Sequence, residues 1–211
     1  GLAFWITDGT AAGTHIIKDI NPGSGSLNST MLTSLKTHAF FTELVVSNGV
    51  VLWKTDGTSI NTVPLKSFPS ASITQSVGID DMLYFIVQNH ETKQSSLWTH
   101  SVTSNQTTMR IANLVNTNSI VKHCLMVNDC LYLVIQTGDE EFNLYKYKSL
   151  ASTLKFIDRL ANSTSDFEDL AQPQAFENAL FYVKTDSVVG AESFYLLDES
   201  QPEGDKFLHL Y

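Results

Sequence analysis

The chain has 211 residues, 43% of them hydrophobic and 17% charged, enough apolar material for one sizeable core or for several small cores in series. Its 13 lysines and arginines face 22 acidic residues, a formal charge of −9 that repels a phosphate backbone and excludes nucleic acid as a partner. Arginine occurs only at Arg110 and Arg159, too few for a cluster that binds phosphate, sulfate or sialate; no apolar run approaches the roughly 18 to 20 residues that span a bilayer, so no membrane insertion is expected.

Taken in chain order, the first predicted element is a pair of strands within residues 1–20, "LAFWITDGTAAGT" followed by "HIIKDI". The second unit, 31–68, reads as four strands: Met31 to Leu35, His38 to Val46, Val50 to Thr55 and Thr62 to Phe68. Units at 72–114, 118–160 and 167–211 repeat that order, with turn signals between the runs. The opening pair corresponds to the third and fourth strands of a unit. Its first two strands are expected from a missing segment or a partner chain, and the chain is expected to be a piece of a longer propeller. No basic-then-apolar leader opens the given sequence.

Two ladders of aromatic residues carry the repeat. Trp5, Trp53, Trp98, Tyr145 and Tyr195 are separated by 48, 45, 47 and 50 residues, and Phe40, Tyr84, Tyr132 and Phe181 by 44, 48 and 49. A period near 47 suits one four-stranded propeller blade and disagrees with a β-sandwich of about 100 residues repeated twice. Runs such as Val51, Leu52 and Trp53 are apolar on both faces of a strand, which requires cover on both faces. The expected fold is therefore an all-β propeller of four-stranded antiparallel blades, four complete blades plus two strands of a first one.

Asp8-Gly9-Thr10 and Asp56-Gly57-Thr58 fall where the third strand of a unit reverses into the fourth. Gly9 and Gly57 supply positive φ, and the Asp8 and Asp56 carboxylates accept from backbone N–H groups two residues on. These residues and the Trp/Tyr ladder are expected to be structural anchors. Glycosylation sequons occur at Asn28, Asn105 and Asn162, all in segments read as loops. Cys124 and Cys130 fit neither a zinc nor a redox spacing and are expected to be free thiols.

The segments "FWITDGTAAGT", "IIKDINPGSGS" and "LWKTDGTSINT" resemble the ELWxxDGT repeat of large secreted and surface proteins. By period the resemblance covers the whole chain, and by motif about its first 70 residues; from Trp98 onward the ring and spacing persist without Asp-Gly-Thr. It implies a propeller-like extracellular module, secreted or on a cell surface, and carries over no catalytic residue.

Paired carboxylates of the glycosidase type were sought at Asp80, Asp81, Glu168 and Asp169. Asp80-Asp81 reads better as a hairpin turn, in line with Asn128-Asp129 and Glu177-Asn178, while Glu168 and Asp169 precede the first strand of the last unit. The six histidines lack ligand spacing, and the acidic stretches at Asp139 to Glu141 and Asp198-Glu199 read as solvated loops. No cofactor, metal or catalytic residue is expected, and the chain is expected not to be an enzyme. The functional expectation is a recognition module binding a glycan or a protein through propeller loops, with assembly into a larger extracellular complex as the first alternative and a propeller glycoside hydrolase as the last.

Overall fold

A computed structural model of the chain describes residues 4–20, 32–45, 48–138, 140–149, 153–185, 192–200 and 207–210. Its strands form one two-stranded sheet and four four-stranded sheets, each meandering in sequence order. The first sheet is β1 (Phe4–Ile6) with β2 (His15–Lys18), and the second is β3 (Leu32–Ser34), β4 (Ala39–Val45), β5 (Gly49–Thr55) and β6 (Val63–Phe68). The third comprises β7 (Ala71–Ile79), β8 (Met82–Asn89), β9 (Ser95–Ser101) and β10 (Gln106–Ile111). The fourth comprises β11 (Ile120–Val127), β12 (Cys130–Thr137), β13 (Glu141–Lys148) and β14 (Thr153–Ala161). After a six-residue helix, α1 (Thr164–Asp169), the fifth sheet is β15 (Gln174–Phe176), β16 (Ala179–Thr185), β17 (Glu192–Asp198) and β18 (Phe207–Leu210). This is a β-propeller fold of four-stranded antiparallel blades.

Contacts divide the chain into two compact units, Gly1–Glu91 with Trp98–Met109, and Thr92–Leu97 with Arg110–Tyr211. In the first unit, Phe40, Val50 and Leu52 on one face of the second sheet pack against Leu83, Phe85, Val87 and Trp98 of the third. In the second unit, Tyr132, Val134, Phe142 and Leu144 of the fourth sheet pack against Leu180, Tyr182, Leu197 and Tyr195 of the fifth. Because side chains alternate across a strand, every four-stranded sheet has a leading face, carrying the second aromatic ladder, and a trailing face, carrying the first; in the first sheet Trp5 marks the trailing face. The trailing-face rings pair across strands: Phe41 stacks on Trp53 at 6.0 Å, Phe85 on Trp98 at 6.5 Å and Tyr182 on Tyr195 at 5.3 Å.

Turn chemistry sets the register. Asp80, Asn128 and Glu177 sit at φ of 50°, 53° and 50°, each opening a two-residue loop between paired residues Ile79 and Met82, Val127 and Cys130, Phe176 and Ala179. Such primed turns match the twist of the flanking strands. In the other hairpins the Thr58 amide and hydroxyl donate to Asp56 Oδ1 at 2.9 and 2.6 Å, as those of Thr10 do to Asp8 at 2.9 and 2.7 Å. These bonds hold both carboxyls below the usual range, Asp56 at about 2 with Asn61 assisting. Gly57 at φ 92° and Gly9 at φ 91° complete the two turns.

The helix α1 lies where the sequence was read as a loop before the last unit. It holds because the Phe167 ring stacks on Phe142 at 4.1 Å and Leu170 is buried against the fourth and fifth sheets, so packing rather than propensity orders this Ser/Thr/Asp-rich stretch. Glu168 projects from α1 into solvent. Cys124 pairs in register with Leu133 and Cys130 with Val127, and both are free thiols that burial pushes up to about 12.

Candidate functional site

Equivalent positions in the repeat reveal the surface that is out of place. Leu52, Leu97 and Leu144 each precede a ring of the first ladder, point from the leading face and are fully buried. Phe194 occupies that position in the fifth sheet and is 52% exposed. Phe40, Tyr84 and Tyr132 are likewise buried on the leading face, whereas their counterpart Phe181 is half-buried. Beside them Gln172, Gln174, Val183 and Ala171 complete a cleft of about 240 Å³. Gln174 pairs in register with Phe181, so one amide is fixed at the rim of an otherwise apolar floor. Phe176, on the same face, is exposed as well. Neighbouring exposed apolar side chains of this kind make a candidate contact site.

The first sheet leaves the opposite kind of face open. Trp5 is 59% exposed and pairs in register with Ile16, itself exposed. The equivalent rings Trp53, Trp98, Tyr145 and Tyr195 are all half-buried. Trp53 donates from Nε1 to Glu43 at 3.0 Å, Trp98 meets Phe68 edge-on at 5.1 Å, and Tyr145 meets Phe156 edge-on at 5.7 Å.

A second constellation involves the lysines that follow two of the ladder rings, Lys54 after Trp53 and Lys146 after Tyr145. Lys146, on the leading face of the fourth sheet, forms an ion pair with Glu199 at 2.6 Å with both side chains almost fully buried, and the Tyr132 hydroxyl donates to the same carboxylate. Glu199 was expected to be solvated with Asp198; it is instead drawn inward because its amide donates to the Asn178 carbonyl at 2.8 Å and its side chain meets a buried ammonium. Burial, with Glu199 next, raises the Tyr132 phenol far above its ordinary range. A more open counterpart joins Lys184 to Asp158 at 2.9 Å, with Tyr182 donating to the same carboxylate at 3.0 Å.

In the second sheet Lys54 holds the position of Lys146 and donates to Asn105 Oδ1 at 2.6 Å. His100, from the third sheet, meets Phe40 edge-on at 5.6 Å, and Phe40 is the register partner of Lys54. His100 Nδ1 bonds Thr107 Oγ1 at 2.9 Å, seven residues on. The same spacing joins Thr7 to Thr14 and Thr55 to Thr62, each at 2.7 Å. His100 thus replaces a threonine in a side-chain clasp that ties the third strand of a unit to the fourth. That repeated spacing was the available signal, and the sequence reading passed over it.

Asn105 is exposed in the β9–β10 turn at φ 53°, and Asn162 is half-buried just before α1, accepting from Arg159 at 3.3 Å. Asn28 lies outside the described residues, as does Asp139. The Asp81 carboxylate accepts from Ser101 at 3.1 Å and is held below its usual range by Thr103 and Ser101 hydrogen bonds. Among the described residues no three His, Cys, Asp or Glu side chains converge as a metal site, and none is long and apolar enough as a helix to cross a membrane.

No protein-family model matches the chain and no curated protein matches it by sequence. Among solved structures it is similar to an oligogalacturonate lyase from Vibrio parahaemolyticus, with a TM-score of 0.60 and 9% identity over 99% of this chain and 60% of that one. It is similar to the β-propeller domain of the Trilobed protease from Pyrococcus furiosus, described as an open velcro topology, with a TM-score of 0.57 and 9% identity over 88% and 57%. A Mycobacterium tuberculosis puromycin-hydrolyzing peptidase gives 0.56 and 12% over 90% and 29%. The chain therefore spans between 29% and 60% of the length of these three structures. At such identity the likeness establishes the fold alone.

One expectation is corrected by these findings. The chain was expected not to be an enzyme, yet the propellers it resembles belong to peptidases and a lyase. The absence of a contiguous motif was the wrong ground for that exclusion, because active sites are assembled from residues distant in sequence and recognised by geometry.

Proposed function

We propose that this chain is a recognition and assembly module of a secreted or cell-surface protein, and that it takes a protein partner on the leading face of its fifth sheet. The observation that carries the reading is Phe194, half-exposed where Leu52, Leu97 and Leu144 are fully buried. In the second and fourth sheets the leading face is covered by a trailing face that presents leucine and aromatic rings. The partner that fits is therefore another sheet of this repeat. A second copy of the chain supplies one, since Trp5 and Ile16 leave an uncovered trailing face on the first sheet. Contact of unlike faces is heterologous and builds chains or rings rather than closed pairs.

A glycan has less support in the same cleft. Sugars need several converging polar groups besides an aromatic platform, and only Gln172 and Gln174 of the lining carry amides. The extracellular setting draws on the resemblance to the ELWxxDGT repeat and on the exposed sequon at Asn105.

Sedimentation of the 211-residue chain tests the reading. The expected result is concentration-dependent association that Phe194→Glu removes while far-UV circular dichroism stays unchanged. A strict monomer at all concentrations, together with retention on a glycan array that Phe194→Glu abolishes, would replace the protein partner with a sugar.

A further inference from the structure

Lys54 and Lys146 occupy the same place in their sheets, but among the described residues only Lys146 has a carboxylate partner. Glu199 reaches it from the loop after β17, with its amide bonded to the Asn178 carbonyl at 2.8 Å. The residue at that place in the third sheet is Val102, whose amide bonds to the Asp81 carbonyl at 2.9 Å in the same hairpin geometry. The backbone is thus conserved between the two corners while the anion is deleted. Phe40, likewise, stands where Tyr132 offers its hydroxyl to Glu199.

The cation remains. Lys54 is 8% exposed, and its hydrogen-bond acceptor is the neutral amide of Asn105. Beside it His100 is fully buried, with Nε2 lacking any hydrogen-bond partner. A buried ammonium with no counter-charge and a buried ring nitrogen with no partner among the described residues are each costly. The two meet at one corner: His100 packs edge-on against Phe40, the register partner of Lys54. Burial first, then the charges of Lys54 and His38, push the His100 imidazole down to about 4.

We propose that Lys54 and His100 form a binding site for a small carboxylate, which takes the role at this corner that Glu199 plays at Lys146. Thr107 donates to Nδ1, the ring proton resides on Nε2, and Nε2–H and the Lys54 ammonium both donate to the bound oxygen atoms. Asn105, exposed in the β9–β10 turn, fixes the Lys54 side chain through its Oδ1. A free acid and an Asp or Glu side chain of a partner share this chemistry.

The experiment is an NMR titration of the His100 imidazole in the full chain with sodium acetate, against sodium chloride at equal ionic strength. A second arm uses a blocked peptide with one aspartate. The expected result is a saturable shift with millimolar affinity and a rise in the His100 pKa, both lost in Lys54→Met. Val102→Glu is expected to abolish the acetate response too, by building the missing carboxylate into the chain. The tighter of the two probes assigns the source of the carboxylate. Absence of a saturable shift with either probe, or an equal shift in folded Lys54→Met, overturns the site.

Discussion

His100 is the side chain on which local chemistry and stability meet most directly. Its ring bonds the Thr107 hydroxyl, and burial together with Lys54 and His38 holds its pKa at about 4 against an ordinary 6.5. The unfolded chain therefore binds a proton that the folded chain refuses between those two values, so folding stability rises with pH across that window. The contribution is complete above the unfolded value and fades as pH falls toward 4. Urea unfolding at pH 7 and pH 5 is expected to separate the midpoints of the wild type more than those of His100→Gln, in which the titrating group is absent. Equal separations would show that other groups govern the acid side of the profile. Its partners at this corner come from three strands, which is why a histidine read as an isolated strand residue proved to be part of a clasp, a ring contact and a charged corner.

Among the sheets, the fourth and fifth are joined by a deeply buried charge pair. Lys146 and Glu199 lie 2.6 Å apart with side-chain exposures of 7% and 3%. Removing one partner of a buried pair leaves the other charge stranded and costs about 3 to 5 kcal/mol. Glu199→Gln is expected to lower stability by that order in a denaturant melt, and the double variant Lys146→Met, Glu199→Leu to recover most of the loss, because an apolar replacement removes the charge that was stranded. A small effect of Glu199→Gln would mean the ammonium finds water instead. This pair was not legible in the sequence: its members are 53 residues apart, and Glu199 beside Asp198 has the composition of a solvated loop. The strands, in contrast, were legible because each carries its own ring and turn. The expected His38 to Val46 is β4, Ala39–Val45, and the expected Val50 to Thr55 is β5, Gly49–Thr55. Helix α1 escaped for the reverse reason: Ser163, Thr164, Ser165 and Asp166 signal a loop, and the packing of Phe167 on the distant Phe142 ring, with the burial of Leu170, makes them helical.

For the whole molecule, the repeat determines more than the fold. A constant period places equivalent residues on equivalent faces, so an exposed residue can be judged against its counterparts rather than against solvent alone. By that comparison Phe194 and Trp5 are uncovered members of sets otherwise buried or half-buried, one on a leading and one on a trailing face. The central claim is that these two faces recognise each other as leading and trailing faces do within the chain. Sedimentation velocity of Trp5→Glu, Phe194→Glu and their equimolar mixture tests it most directly. Each variant retains one competent face, so each alone is expected to be monomeric and the mixture to form a dimer that grows no further. Dimers of either variant alone, or a mixture that stays monomeric while the wild type associates, would contradict the pairing of unlike faces.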